Sequence, residues 1–216
     1  ARCGIWKNGM TLWENVISQY QTIPQAYINR GVLFAKENKD VDALNDYNKA
    51  IEIEPKFDKA YNNRGILMAK LRKYDDALND YNKAIELNNS YASAYNNRGV
   101  LNKIQNKYDQ AINDYNKAIE LKPNYFDALY NRGVAYRNVN RYDEALNDFN
   151  KVIKMQPTYA NAYSARAILR ANQKNYDAAF NDYNKAIQLQ PNFPLAFSNR
   201  ANLFMTLNKK EEAIRD

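Results

Sequence analysis

Small and apolar residues recur along the chain at a fixed interval. Ala43 and Ala77, for example, are equivalent residues separated by one interval. When each repeat is numbered from Pro24, position 4 is almost always aromatic and positions 8, 20 and 27 are almost always small. Position 20 is Ala43, Ala77, Ala111, Ala145, Ala179 and Ala213. Polar residues separate these positions with helical spacing. The pattern therefore predicts two amphipathic helices per repeat, roughly over positions 2–14 and 18–30.

The small positions predict where the two helices of a repeat cross, because only small side chains allow backbones to approach closely. Aromatic residues at positions 4, 17 and 24 are expected to fill the space around these crossings. We interpret them as core residues and not as a stacking platform for bases. Proline at position 32 in four repeats is expected to stop the second helix, and Asn89 is the exception.

This register resembles the tetratricopeptide repeat family, a match that extends over nearly the whole chain. The resemblance implies an all-α fold, a right-handed α-solenoid of antiparallel helix-turn-helix repeats. The expected divisions are the second half of a degenerate repeat at 1–23, full repeats at 24–57, 58–91, 92–125, 126–159 and 160–193, and a truncated repeat at 194–216. Because the chain starts and stops inside repeats, we expect it to be an excerpt of a longer protein.

Composition narrows the possible chemistry. The chain has no histidine and a single cysteine, Cys3, which removes histidine-based catalysis, most zinc or copper sites and any intramolecular disulfide. Aspartate and glutamate recur with the repeat, as structural residues do. No apolar run approaches the ~18 residues of a membrane span. We therefore expect no enzymatic activity, no cofactor, no metal and no direct membrane contact.

The net charge of +7 would suit a nucleic acid, an acidic lipid or an acidic peptide. However, the lysines are spread over every repeat and form no basic block. The abundant Lys, Asn, Tyr and Ile also share AT-rich codons, which offers a compositional explanation. We favour that explanation and expect no nucleic-acid partner.

The family resemblance implies that the first helix of each repeat lines a concave groove. Position 6 is Asn29, Asn63, Asn97 and Asn131, with Ala165 interrupting the series. The series resembles the asparagine ladder of O-linked N-acetylglucosamine transferase, which holds extended protein substrates. An amide both donates and accepts, so it can pair with a peptide main chain of any sequence. The alternative is that these amides satisfy local backbone groups.

Positions 5, 12 and 13 complete the candidate peptide-binding set. They add Asn62, Asn96, Tyr130, Lys36, Lys70, Lys103 and Arg137. A line of cations in a polar groove would favour an acidic segment or a free C-terminal carboxylate, whereas solvated lysines without a partner are the alternative. The two-carboxylate clamp of chaperone-binding members is not reproduced, since its lysine at position 5 and asparagine at position 9 are replaced.

Arginine at position 7 departs from the common leucine of the family and accompanies aspartate at position 23 in every repeat. The arginines are Arg30, Arg64, Arg98, Arg132, Arg166 and Arg200. The aspartates are Asp46, Asp80, Asp114, Asp148, Asp182 and Asp216. We expect a repeated ion pair that docks the two helices and has a structural role.

The sequence thus favours a protein-protein interaction module that binds an extended peptide or partner segment in its groove. One alternative is a structural scaffold that self-associates through uncapped ends. Another is the substrate-recruiting region of a membrane-bound, glycosyltransferase-like protein, because residues 2–13 are similar to the first degenerate repeat of bacterial membrane-anchored relatives. That similarity would place the groove on the extracytoplasmic face of a membrane; otherwise a cytoplasmic location is expected.

Overall fold

A computed structural model of the protein describes residues 9–216, which form helices joined by short turns. The helices are α1 Gly9–Gln19, α2 Pro24–Lys36, α3 Asp40–Ile53, α4 Asp58–Lys70, α5 Tyr74–Leu87, α6 Ala92–Ile104, α7 Tyr108–Leu121, α8 Phe126–Asn138, α9 Tyr142–Met155, α10 Ala160–Asn172, α11 Tyr176–Leu189, α12 Pro194–Thr206 and α13 Lys210–Arg215. Successive helices pack in pairs, which confirms the all-α solenoid fold. Cys3 and most of residues 2–13 lie outside the described residues.

Each full repeat contains the two expected helices, at positions 1–13 and 17–30. The first helix ends one residue earlier than predicted because position 15 adopts a left-handed backbone conformation. In the repeat at 58–91 this residue is Arg72, with a φ of 59°. The next amide, Lys73 N–H, donates to the carbonyl of Met68 at 2.9 Å and closes the helix end. The same conformation recurs at Asn38, Asn106, Asn140, Lys174 and Asn208.

The helix crossings lie at the small positions, as predicted. A Cβ atom added to Gly31 would lie 2.6 Å from Cε1 of Tyr47, and one added to Gly65 would lie 2.8 Å from Cε1 of Tyr81. Ala43 is fully buried at the same interface. The aromatic ring at position 24 therefore packs directly on the backbone of position 8, which requires the absence of a side chain there in these repeats.

The aromatic positions differ in burial. Position 24 is the centre of each layer, and its residues Tyr47, Tyr81, Tyr115, Phe149 and Tyr183 are buried. The tyrosines at position 17 are only half-buried. Two of them, Tyr108 and Tyr142, donate their hydroxyls to the side-chain oxygens of Asn106 and Asn140 in the preceding turn. The core prediction is therefore correct for position 24 and too strong for position 17.

The second helix ends at position 30 even without proline. Helix α5 ends at Leu87, although its repeat has Asn89 in place of proline. The neighbouring Asn88 is extended, accepts a hydrogen bond from Ser90 N–H at 3.1 Å and donates to Asp58 at 2.6 Å. Side-chain hydrogen bonds thus stop this helix where the prolines stop others.

The expected arginine–aspartate pair is observed. Arg64 donates from Nε to Asp80 Oδ2 at 2.9 Å and from Nη2 to Oδ1 at 2.7 Å. The hydrogen bond to Asp80 raises the pKa of Arg64. Equivalent pairs are Arg30–Asp46, Arg132–Asp148, Arg166–Asp182 and Arg200–Asp216.

The same arginines also contact the preceding repeat. Arg64 Nη1 donates to Asn48 Oδ1 at 2.8 Å, and Asn48 occupies position 25 of the repeat before it. The contact recurs in Arg98–Asn82, Arg132–Asn116, Arg166–Asn150 and Arg200–Asn184. One guanidinium therefore fixes two helices of its own repeat and docks a neighbouring repeat as well.

The chain divides into two compact units, Ala1–Leu101 and Asn102–Asp216, and the division falls within α6. Here they are called unit 1 and unit 2. Each carries part of the candidate set of groove residues.

Candidate functional site

Two of the position 6 asparagines of unit 1 form hydrogen bonds within their own helix. Asn29 accepts a hydrogen bond from Gln25 Nε2 at 2.8 Å. Asn63 donates from Nδ2 to the carbonyl of Lys59 at 2.9 Å. Among residues 9–216, the side-chain oxygen of Asn63 has no hydrogen-bond partner. Local bonding thus uses part of each amide and leaves an acceptor on Asn63.

The next asparagines bond to one another across repeats. Asn97 donates from Nδ2 to Asn62 Oδ1 at 2.9 Å, and it accepts from Asn96 at 3.5 Å. Asn62 and Asn96 are only 4% and 6% exposed. Because a buried amide must find a partner, these contacts stabilise the stacking of α4 on α6. Asn62 and Asn96 are therefore buried structural groups in this conformation, and not open groove residues.

The expected line of cations is partly neutralised in unit 1. Lys70 lies 2.6 Å from the carboxylate of Asp40 and 3.0 Å from Asn38 Oδ1. Lys36, by contrast, is exposed and forms no ion pair within residues 9–216. Only Lys36 of these two lysines therefore presents an uncompensated charge.

A cleft of about 310 Å³ lies between the first helices of two neighbouring repeats in unit 1. It is lined by Val32, Ala35, Lys36, Tyr47, Asn63, Ile66, Leu67 and Lys70. We call this set the unit 1 cleft. Its floor is apolar, and Ile66 is 45% exposed there. The side chains of Lys36, Lys70 and Asn63 add polar groups to this apolar surface.

A cleft of about 300 Å³ occupies equivalent positions in unit 2, four repeats later. We call it the unit 2 cleft; its residues are Ile168, Ala171, Asn172, Tyr176, Tyr183, Asn199, Asn202, Leu203 and Thr206. Asn172 and Thr206 stand where the unit 1 cleft has Lys36 and Lys70, and Asn202 stands in place of Ile66. The geometry of the cleft thus recurs while its charge and polarity change.

The remaining candidates lie together in unit 2. Lys103 Nζ donates to Asn131 Oδ1 at 3.1 Å. Burial, and then the charge of Arg137, lower the pKa of Lys103. The ring of Tyr130 packs edge-on against Tyr159 at a centroid distance of 5.3 Å, and burial raises its pKa. Lys103 therefore contacts Asn131 directly and is affected by the charge of Arg137.

Sequence reasoning missed the apolar part of the unit 1 cleft. From the sequence, Val32 and Ile66 are considered only because they replace the asparagine at position 9 of the two-carboxylate clamp. Tyr47 is interpreted only as a core residue. A usable signal was present, because position 9 lies one helical turn from the groove candidates at positions 6 and 12 and is apolar in both repeats. The asparagines at position 25 were also missed, although they recur at a constant separation before each arginine from Arg64 to Arg200.

Two kinds of feature are absent from residues 9–216. This part of the chain contains no cluster of three or more acidic or cysteine side chains arranged to hold a metal ion. Nor does any helix in the described range have the length and hydropathy required to cross a bilayer.

Family models match most of the chain. A model described as "TPR repeat" matches residues 70–104, 103–139 and 169–208. Two models described as "Tetratricopeptide repeat" match residues 24–57 and 126–159 and residues 46–79. Comparison with curated protein sequences returns no match.

Solved structures share the fold. YrrB, described as a TPR protein with an unusual peptide-binding site, is 25% identical with a TM-score of 0.68, over 87% of this chain and 97% of that chain. PilF of Pseudomonas aeruginosa is 19% identical with a TM-score of 0.81, over 92% and 90% of the two chains. A tetratricopeptide repeat protein from Parabacteroides merdae is 23% identical with a TM-score of 0.73, over 94% and 81%. The chain belongs to the tetratricopeptide repeat family and is a protein-protein interaction module.

Proposed function

We propose that the protein binds an extended segment of a partner protein across the first helices of its repeats, with a side chain of that segment seated in the unit 1 cleft. The observation that carries this proposal is the unit 1 cleft, which lies between the first helices of two neighbouring repeats and combines the exposed, apolar Ile66 with the exposed Lys36. An extended peptide suits such a cleft, because it can insert one side chain there while its main chain pairs with neighbouring amides.

The chemistry of the unit 1 cleft favours an apolar side chain beside an acidic one. Val32, Ile66 and Leu67 offer apolar contact, and the exposed fraction of Ile66 would be buried by a ligand. Lys36 supplies a positive charge without an ion pair among the described residues. The free side-chain oxygen of Asn63 can accept a hydrogen bond from a peptide N–H group. An apolar residue followed or preceded by aspartate or glutamate is the expected motif.

The comparison with YrrB supports the class of partner. That protein has a described peptide-binding site, and the two chains align over most of their lengths. The unit 2 cleft, with Asn172, Asn202 and Thr206, would accept a polar, uncharged side chain. The unit 2 cleft would therefore select a different side chain from the unit 1 cleft.

A peptide array probed with the full chain tests this function. Peptides that bind are then measured in solution against Ile66→Asp and Asn63→Ala. We expect Ile66→Asp to weaken binding by about tenfold or more, because a carboxylate replaces the apolar contact and would repel an acidic ligand. Val41→Asp is the matched control, since Val41 is 73% exposed on α3 and does not line the cleft.

The absence of any bound peptide, or equal losses in Ile66→Asp and Val41→Asp, would contradict the proposal. Binding that depends on Asn63 but not on Ile66 would assign recognition to the amide series alone. Light scattering at increasing protein concentration distinguishes the scaffold alternative, in which the chain associates with itself and binds no peptide.

A further inference from the structure

Lys103 and Arg137 occupy position 12 of two adjacent repeats, on α6 and α8 of unit 2. Neither forms an ion pair with any carboxylate among residues 9–216, and both are half-buried. Other arginines of unit 2 are neutralised: Arg132, Arg166, Arg170 and Arg200 pair with aspartates, and Arg141 pairs with Glu144. Lys103 and Arg137 therefore differ from the structural cations around them.

Lys103 is held in place by an amide. Its Nζ donates to Asn131 Oδ1 at 3.1 Å, which draws the ammonium group across to α8, the helix that carries Arg137. An uncharged acceptor orients the ammonium but does not cancel its charge. Burial and the charge of Arg137 both lower the pKa of Lys103, as expected for two cations that share a poorly solvated site.

Within the described part of the chain, no carboxylate forms an ion pair with either cation. Arg137 acts electrostatically on Tyr130 and on Tyr183, so both phenols lie within range of its charge. Burial raises the pKa of Tyr130, and its hydroxyl therefore remains protonated at neutral pH. Lys103 and Arg137 occupy the same position of adjacent repeats, and the ammonium of one is bonded to the helix that carries the other, so the energy of this site falls when an anion enters.

We propose that Lys103 and Arg137 bind a carboxylate group of the partner segment, with Asn131 positioning Lys103. This inference rests on the proposed peptide-binding function and adds to it the chemical class that unit 2 selects. A guanidinium offers two parallel donors to a carboxylate, and the ammonium adds a third. The carboxylate belongs either to the C-terminus of the partner or to an aspartate or glutamate side chain.

Unit 1 provides an internal contrast. Its position 13 lysine, Lys70, already binds Asp40 at 2.6 Å, so an incoming carboxylate would have to displace an intramolecular one. The residues also differ from those of the two-carboxylate clamp, which uses positions 5 and 9. The arrangement in unit 2 is thus specific to this chain's lysine and arginine at position 12.

The first experiment uses a small dicarboxylate, glutarate, as the probe and needs no peptide. NMR of the full chain follows the side-chain nitrogens of Lys103 and Arg137 during titration, with sodium chloride at equal ionic strength as a control. We expect saturable shifts at both groups with glutarate and not with chloride. Arg137→Gln should abolish the shift at Lys103, whereas Lys151→Gln, which removes an exposed charge from α9 in the same unit, should leave it unchanged.

The second experiment uses acidic peptides that bind the full chain. Arg137→Gln and Lys103→Gln should each lower affinity about tenfold, and Arg137→Lys should restore part of it. C-terminal amidation of the peptide should reproduce the loss if the terminal carboxylate is bound. Replacement of internal glutamate by glutamine should reproduce it if a side chain is bound.

The two experiments fail separately. Shifts that are absent, or that survive both glutamine variants, overturn the carboxylate site even if peptides bind through the unit 1 cleft. Saturable glutarate shifts without any peptide binding would uphold the carboxylate site and contradict the proposed peptide-binding function. Equal thermal unfolding of the variants and the parent chain excludes a folding defect as the cause of any loss.

Discussion

Arg132 donates two parallel hydrogen bonds to Asp148, from Nε to Oδ2 at 2.8 Å and from Nη2 to Oδ1 at 2.7 Å. Asp148 is 1% exposed, so its carboxylate is desolvated and is hydrogen-bonded to the guanidinium instead of to water. A third bond joins Arg132 Nη1 to Asn116 of the preceding repeat at 2.7 Å. Arg132 and Asp148 therefore connect the helices of one repeat and the preceding repeat. Removal of either partner leaves the other as a buried charge without compensation.

Asp148→Ala should lower the free energy of unfolding by about 3–5 kcal/mol, the cost typical of breaking a buried ion pair. A double-mutant cycle with Arg132→Met should return a coupling energy of about 1–3 kcal/mol in urea unfolding. The exposed pair Arg141–Glu144 is the control and should couple far less. Similar coupling in both pairs would contradict a structural role for Arg132.

Arg72→Gly should raise the free energy of unfolding by about 1 kcal/mol, because Arg72 has a φ of 59°, where a Cβ atom crowds the following carbonyl and glycine does not. Arg72→Ala is the control for loss of charge and should not stabilise. Asn106→Gly should gain less, because asparagine tolerates the left-handed conformation. Thermal unfolding provides the measurement, and a gain in Arg72→Ala equal to that of Arg72→Gly would refute the explanation.

Tyr115→Phe should stabilise the protein by about 1–3 kcal/mol, the desolvation penalty of a buried hydroxyl that lacks a partner. The Tyr115 hydroxyl is buried without a hydrogen-bond partner among residues 9–216. Phe149 occupies the equivalent position 24 of the next repeat, so a phenyl ring already packs there. Phe149→Tyr is the reverse test and should destabilise. A destabilised Tyr115→Phe would indicate an undetected partner for the hydroxyl.

Stability should fall as the pH rises from 10 to about 12, because burial, and then the charge of Asp46, raise the pKa of Tyr47 from 10.0 to about 12. Between these values the unfolded chain loses the tyrosine proton while the folded chain retains it, so folding is progressively disfavoured. Tyr47→Phe should reduce the slope of the free energy of unfolding against pH in this range. The difference in the free energy of unfolding between Tyr47→Phe and the parent chain at neutral pH is the baseline for this comparison. An unchanged slope in the alkaline range would contradict the effect of burial on Tyr47.

The repeat pattern predicts the fold well because it encodes packing. Gly31 and Ala43 are small where Tyr47 and the helix backbones converge, so their spacing alone indicates the crossing. The arginine–aspartate pair was equally readable, since both partners recur within one repeat. The contacts between repeats were harder to predict, because their partners are brought together by stacking and not by helical spacing.

The groove illustrates that limit. The sequence pattern at position 13 predicts that Lys70 is free. However, Asp40 stands where the next four repeats have a tyrosine at position 17, and it forms an ion pair with Lys70. Position 5 predicts open amides, yet Asn62 is buried by its bond to Asn97. Each departure depends on a residue that breaks the repeat or on a contact with another repeat. A consensus position therefore indicates where a side chain starts but not what it binds.

The spacing of the arginine contacts has a consequence for how the array can change length. Each guanidinium from Arg132 to Arg200 binds an asparagine in the preceding repeat and an aspartate in its own, and the two separations along the chain are equal and constant. Unequal recombination that inserts or removes one whole repeat length restores both separations at the new junction, wherever the break occurs. Unequal recombination can thus lengthen or shorten the protein without creating a buried, unpaired charge.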